Sequence, residues 1–402
     1  MTLPRILARK SLTLLGLNSG TSADGLDLAA VRITRGARGA TVRYLAGEMK
    51  PYPPELRQLV LQTAAGASVD LDTVVRLDNA LGLFFGRTAA TFIGRLKRKR
   101  IRIDAIGSHG QTVRHVPQPR RLAGEQVRGS LQLGSPDQIA AQTGKVVVAD
   151  FRQGDIADGG EGAPITTGAM YTLFGDIKKS RLIINIGGIA NYYYLPPVSS
   201  RRPPSAADCG PGNSLSDILS RRLYGEGFDL RGARSARGQV CETLLQRLLA
   251  HPFFSDSSLS TGREAFGERM AQEILDYGLH RNLYREDMLA TVVEFTAQAI
   301  VKGVRPILDE DSSLTSFYLT GGGRKNSFLV KRLRRLRPDK EVRLIDTLGI
   351  SGDMIEAAAF AVMGEACLRS EPIITPIGGS REQRRVAPVP GRIVQPPRRR
   401  RT

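Results

Sequence analysis

Three glycine turns are the places where this sequence could hold a charged ligand. Gly20-Thr21-Ser22-Ala23-Asp24-Gly25, Gly187-Gly188 and Gly321-Gly322-Gly323 each follow an apolar run. Glycine permits tight dihedrals and leaves backbone N–H groups unobstructed, which suits phosphate oxygens. One such turn is equally well explained by the chain reversal itself. Three together suggest a nucleotide clamped at two phosphate regions, with the third turn close to the adenosine. No Gly-Lys-Ser/Thr follows the first turn, so it is not a Walker A loop.

The acids come next. Asp208, in Ala207-Asp208-Cys209-Gly210-Pro211-Gly212-Asn213, precedes a helix expected to start near Asn213 or Ser214. It reads either as a cap of that helix or as a general base beside a glycine-lined pocket. Glu356, early in the last expected helix, is either a first-turn acid favoured by the helix dipole or a ligand to nucleotide-bound magnesium. His109 and His115 flank Gln111 and Arg114. No third ligand has metal-site spacing, which leaves substrate contacts or loop hydrogen bonding.

These residues need elements to place them. Residues 12–17 and 28–34 read as strands around the first turn, with 41–47 as a third. Helices are expected over 54–65 and 72–96, where Val74, Leu77, Leu81, Phe84 and Thr88 recur at helical spacing. Ile101 to Ile106 reads as a short strand ending at Gly107, and Lys145 to Ala149 as a buried one. After a helix over 165–174, Arg181 to Leu195 repeats the strand, glycine turn and strand of the N-terminus. The stretch 196–206 reads as a proline-rich surface connection. Helices follow over 214–223, 238–250, 264–278, 286–306 and 327–336, with a strand at Phe317 to Thr320 and a last helix over 352–368. Alternating strands and helices in two similar halves indicate an α/β protein with two sheet-centred domains, and a cleft between domains is a common ligand site. The expected division is 1–175, 176–380 and a Pro/Arg-rich tail, 381–402, extended or disordered.

The bulk properties narrow the classes. At 402 residues the chain is long for one compact core. Hydrophobic residues make up 41% and charged residues 24%, a globular composition. No run of residues reaches the roughly 20 apolar positions of a membrane span. The apolar run Leu12 to Leu17 is short for a secretory segment and reads as a first strand. Cys209, Cys241 and Cys367 are odd in number and widely spaced, which argues against disulfides or structural zinc and fits a reducing cytoplasm. The net charge of +19 sits largely in arginine clusters, such as Arg332 to Arg337 and Arg398 to Arg401. Without interleaved aromatics or a recognisable module, these read as solvated faces, not as a nucleic-acid surface.

Six segments in order resemble the anhydro-N-acetylmuramic acid kinase family. They are Leu17 to Asp27, Ile106 to His115, Ala149 to Arg152, Asn185 to Asn191, Asp208 to Asn213 and Ser260 to Glu264, within a resemblance that spans about residues 14–393. The resemblance implies an actin/Hsp70/hexokinase-like (ASKHA) α/β fold with ATP and sugar in the interdomain cleft. It implies ATP and magnesium as cofactors, no nucleic-acid or membrane partner, a cytoplasmic setting and a homodimer. Family chemistry opens the 1,6-anhydro ring of anhydro-N-acetylmuramic acid with water and phosphorylates O6, giving N-acetylmuramic acid 6-phosphate in peptidoglycan recycling. Carried over by motif, Asp208 is the catalytic base. Gly20, Thr21, Ser22, Ala23, Asp24, Gly25, Leu26 and Asp27 bind ATP phosphates. Asn185, Gly187 and Gly188 line the second phosphate side, while Gly321, Gly322, Gly323 and Asn326 approach the adenosine. His109, Gln111, Arg114 and Arg152 face the sugar, and Glu356 faces the metal. Asn18 stands where the family often has Met, and Glu161 where it usually has Gln. These departures are expected toward the sugar pocket. Levoglucosan kinases share the ATP blocks and an Asn at position 18, so an anhydroglucose substrate stays open, as does a non-sugar ATPase of the same fold.

Overall fold

The computed structural model describes residues 3–20, 22–36, 39–66, 69–157, 159–200, 202–254, 265–371, 374–376, 384–386 and 391–397. The chain forms two compact units, one from Met1–Leu173 with Met354–Thr402 and one from Phe174–Asp353.

In the first unit, β1 (Ser11–Ser19), β2 (Gly25–Gly36) and β3 (Gly39–Pro51) make an antiparallel meander. β4 (Ala105–Leu122) pairs parallel with β1, β5 (Glu125–Leu133) folds back on β4, and β6 (Val146–Ala149) pairs parallel with β4. Leu12, Leu14, Leu15 and Leu17 are all buried, as a central strand covered on both faces requires. One face is covered by α1 (Leu71–Arg98), which buries Leu77, Leu81, Phe85, Ala89, Phe92 and Leu96 at three- and four-residue spacing against Leu15 and Leu17. Asp70 caps α1 through Thr73 N at 2.6 Å, and Arg95, Lys97 and Arg98 end it, where cations suit the dipole. The short strand expected over 101–106 is displaced. β4 begins at Ala105 and continues through Gly107 to Gln111, because β1 supplies backbone partners as far as Gln111. A short helix, α2 (Phe151–Ala157), follows β6.

The second unit repeats the layout. β7 (Arg181–Ile186), β8 (Ile189–Leu195) and β9 (Ser205–Pro211) form the meander, and β10 (Ser316–Thr320) and β11 (Glu341–Leu344) add in parallel. The order β9-β8-β7-β10-β11 matches β3-β2-β1-β4-β6 of the first unit. Two such sheets in one chain give the actin/hexokinase-like α/β fold that the sequence led us to expect. α3 (Ser214–Tyr224) follows β9. α4 (Arg285–Glu310) packs Val293, Ala297, Ile300, Val304 and Ile307 on Leu182, Ile184 and Leu319. α5 (Ser327–Leu336) carries part of the arginine cluster. Its Arg332 is not simply solvated, since it pairs with the buried Glu294 of α4.

The chain then re-enters the first unit, which corrects the expected domain end at 380. α6 (Ile355–Leu368) buries Ala357, Ala358, Ala361, Val362 and Met363 with Leu12, Leu14 and Val31. It lies very close to the sheet. A Cβ on Gly16 would stand 1.6 Å from Ala357 O, and one on Gly107 would stand 2.1 Å from Phe360 O. The far end of α6 is tied down by the buried Glu365, which pairs with Arg35 and Arg369. Beyond it, β12 (Ile374–Pro376) pairs with β13 (Arg384–Val386), and β14 (Arg392–Val394) pairs antiparallel with β6. The tail was expected to be extended or disordered; over Arg392–Val394 it is an extended strand that takes its hydrogen-bond partners from the edge of β6, and Val394 reaches the core. Arg398 to Arg401 lie outside the described residues. No helix of the described residues is long and apolar enough to cross a membrane.

Candidate active site

The first glycine turn joins β1 to β2 and is held from beneath. Ser19, Gln111 and Tyr52 are 2%, 1% and 5% exposed. Tyr52 OH donates to Ser19 Oγ at 2.8 Å, and Ser19 Oγ shares its proton between Gln111 Oε1 at 2.6 Å and Gly25 O at 2.9 Å. Gln111 Nε2 donates to Gly20 O and to Thr112 O, each at 3.2 Å. Ala23 N closes the turn on Gly20 O at 3.1 Å, with Ala23 in the left-handed region at φ 52°. Ser22 and Asp24 are exposed, and Asp24 meets Arg57 at 3.2 Å on the surface. Leu26 is core, and Asp27 stands opposite Asn18 across β1 and β2. Thr21 lies outside the described residues. Gln111, expected against the sugar, has both ends of its amide engaged by the protein.

His109 is also buried. Its ring stacks on Phe360 at 4.4 Å, its Nδ1 lies 3.1 Å from Gly110 O, and its Nε2 accepts from Arg152 Nε at 3.1 Å. These partners select the tautomer with the proton on Nδ1. Burial, and then the adjacent Arg152, hold His109 well below the usual histidine range, so it is neutral at pH 7. Arg152, on α2, also donates to Gly162 O at 2.6 Å. Arg152 and His109 therefore brace one another. Arg114 projects from β4 as an exposed cation. Among the sugar-side candidates it is the exposed one, and it makes no hydrogen bond or ion pair with the described residues.

Glu356 lies in the first turn of α6, exposed, and its Oε2 accepts from Asn18 Nδ2 at 2.8 Å. Asn18 was expected near the sugar; one donor of its amide goes to this carboxylate. A single exposed, oriented carboxylate fits a magnesium ion, which keeps several waters and takes one or two protein carboxylates with substrate phosphates. Among the described residues no cluster of three or more His, Cys, Asp or Glu side chains is arranged to hold a metal alone.

In the second unit the Gly187-Gly188 turn is locked to the segment before α3. Asn213 N donates to Gly187 O at 2.7 Å, and Gly212 N to Gly188 O at 2.9 Å. A Cβ on Gly212 would meet Gly187 O at 2.2 Å, so Gly212 must lack one. The third turn closes on the same place. Gly321, at φ 76°, would put a Cβ 2.6 Å from Asn185 Oδ1, and Gly323 would put one 2.3 Å from Ile186 Cγ2. Asn213 Nδ2 donates to Ile186 O at 3.1 Å. Arg324 fixes the third turn from behind, donating to Gly321 O at 2.9 Å and pairing with Asp353 at 3.0 Å. Asn185, Gly187, Gly188, Asn213 and Gly321 to Gly323 thus form one cluster at the ends of β7 and β10. Asn326 is the N-cap of α5, its Oδ1 accepting from Leu329 N at 3.0 Å.

Asn213, not Asp208, holds the N-cap position of α3. Asp208 lies half-buried within β9, paired across the ladder with Asn191 of β8, two residues beyond the start of the strand that follows the Gly187-Gly188 turn. The next residue, Cys209, is pushed far up by burial and then by Asp208, so it stays a thiol.

Comparison with known proteins decides the family. A family model described as anhydro-N-acetylmuramic acid kinase matches residues 12–386. The chain belongs to the anhydro-N-acetylmuramic acid kinase family. The kinase of that name from Coxiella burnetii (strain RSA 493 / Nine Mile phase I) is 36% identical over 367 residues, covering 89% of this chain and 91% of the relative. The one from Saccharophagus degradans is 36% identical over 370 residues, covering 91% of this chain and 96% of the relative. Among solved structures, a ROK family glucokinase from Streptomyces griseus in complex with glucose and AMPPNP aligns with 88% of this chain at 13% identity and a TM-score of 0.37.

For this member of the kinase family, the sequence singled out the three turns, Asp208 and Glu356 as candidates. It missed Ser19, Tyr52, Asn213 and Arg324, which hold the turns in place. Asn213 closed one of the recognised segments and could have been singled out. Tyr52 sits between two prolines with no pattern to announce it. Ser260 to Glu264, the last recognised segment, lies outside the described residues.

Proposed function

We propose that this kinase uses ATP to convert 1,6-anhydro-N-acetylmuramic acid and water into N-acetylmuramic acid 6-phosphate and ADP. Water attacks the anomeric carbon and passes its proton to Asp208. The bond from that carbon to O6 breaks, and O6 takes the γ-phosphoryl group as ADP departs. The observation that carries this reading is the position of Asp208 on β9, opposite Asn191 of β8, the strand that leads out of the Gly187-Gly188 turn. A carboxylate so placed belongs with a reaction that needs a base as well as phosphate binding.

The remaining roles follow from the geometry of each unit. The turn Gly20 to Gly25 and the cluster of Asn185, Gly187, Gly188 and Gly321 to Gly323 supply backbone donors to phosphate oxygens. Magnesium, when bound, offsets charge on the transferring phosphoryl group, and Glu356, oriented by Asn18, is the residue that would hold it. Arg114 is the cation best exposed to meet a carboxylate such as the lactyl group of the sugar. Asn18, the feature shared with levoglucosan kinases, orients the acid through one of its amide donors. The test is ADP release with ATP and magnesium, offered 1,6-anhydro-N-acetylmuramic acid or levoglucosan, with mass spectrometry of the product. A product heavier by phosphate and by one water from the muramic sugar is expected. ADP release with levoglucosan alone, or with neither sugar, refutes the proposal.

A further inference from the structure

Gln111 was expected to contact the sugar. Its surroundings give it different work. A primary amide has two acceptor sites and two N–H donors. Three are engaged: Oε1 accepts from Ser19 Oγ at 2.6 Å, with Tyr52 OH 3.4 Å away, and Nε2 donates to Gly20 O and Thr112 O. The side chain is 1% exposed. A sugar contact from either N–H of this amide would have to break one of these bonds and leave a buried partner unsatisfied.

What the bonds hold is the turn between β1 and β2. Gly20 O receives Gln111 Nε2, Gly25 O receives Ser19 Oγ, and Asp24 O receives Tyr52 N at 3.1 Å. Carbonyls at both ends of the turn are therefore drawn inward. In a trans peptide the C=O and N–H point opposite ways, so drawing in the Asp24 carbonyl directs the Gly25 N–H of the same peptide the other way, the sense that anion binding requires. Tyr52 is itself fixed, its ring packed 5.3 Å from Phe84 and 6.3 Å from Phe85. Burial keeps its phenol protonated and hence a constant donor.

We infer that Gln111, with Ser19 and Tyr52, is a positioning residue for the first glycine turn, presetting its carbonyls so that its N–H groups face the nucleotide phosphates. The inference rests on the reading of that turn as an ATP phosphate site.

The test measures two affinities in the full-length protein: the Kd for ATP with magnesium by calorimetry without sugar, and the sugar KM in the kinase assay. Gln111→Glu keeps the acceptor for Ser19 and Tyr52 but removes both donors. It is expected to weaken ATP about tenfold, the scale of one lost buried hydrogen bond, with the sugar KM within about twofold of wild type. Tyr52→Phe keeps the ring packing and removes one donor. It is expected to weaken ATP severalfold with the same selectivity, and it carries the test if Gln111→Glu does not fold. ATP affinity unchanged in the folded variants, or a sugar KM that moves while ATP affinity holds, overturns the inference. Failure of the wild type to bind ATP overturns the phosphate-site reading beneath it instead.

Discussion

Gly16→Ala is the sharpest test of how α6 sits on the first sheet. The added methyl would lie 1.6 Å from Ala357 O and 2.7 Å from Ala357 C, where ordinary van der Waals contact begins at 3.4 Å. Strand and helix would have to separate locally by about 1.8 Å, and dispersion contacts fall away steeply over such a gap. Neither side yields easily: β1 is paired on both edges, to β2 and β4, and α6 is anchored by Glu365. Overpacking of a tight core costs typically 1–3 kcal/mol, and a clash with backbone on both sides belongs at the upper end, so about 3 kcal/mol is expected. Against total stabilities of roughly 5–15 kcal/mol this is a large loss. Urea denaturation at constant pH should show a lower midpoint with an unchanged slope. Whatever protein folds should also lose activity, because moving the start of α6 pulls Glu356 off Asn18. A Gly16→Ala protein with wild-type midpoint and wild-type turnover would refute the close docking of α6.

Three further outcomes are expected. His109→Gln should flatten the pH dependence of stability. His109 is held neutral by burial and by Arg152, so as pH falls below about 6.5 the unfolded chain takes up a proton that the folded one does not, and stability drops by up to about 1.4 kcal/mol per pH unit. The variant should lack that share of the loss between pH 6.5 and 5, and an identical slope in both proteins contradicts it. Asn326→Ala should cost about 1 kcal/mol through loss of the α5 cap, with ATP affinity nearly unchanged; a selective loss of ATP affinity at full stability would support the expected adenosine contact instead. Asp208→Asn should lower kcat by about 10²–10⁴ with ATP still bound, and near wild-type turnover would remove Asp208 from the chemistry.

The glycine turns were legible because each falls directly after an apolar strand, and short-range patterns carry that information. The same holds for α1, whose apolar residues recur on one face, and for the repeated meander in the two halves. What stayed hidden depends on distant partners. Asp208 looked like a residue between a proline-rich connection and a helix because β9 is recognisable only beside β8, and a run of small residues such as Ser205–Pro211 has no strand signature of its own. Gln111 looked like a loop residue at a strand end until β4 ran on past it. Asn326 sits between a glycine turn and a helix, a place that suits either a ligand contact or a cap, and Leu329 N settles the cap. Gly16 and Gly107 are read as spacing for a helix more than 200 residues away only when Ala357 and Phe360 are known to lie against them.

The return of α6 and β14 to the first unit also bears on how the chain is made. The second unit, Phe174–Asp353, is one continuous stretch, whereas the first is split around it. A ribosome adds roughly 5–20 residues per second, so β1 to β6 wait on the order of 10–40 s for the helix that covers them. The unit begun first is thus completed last, its apolar β1 face exposed to chaperones meanwhile, while the inserted unit can fold as it emerges.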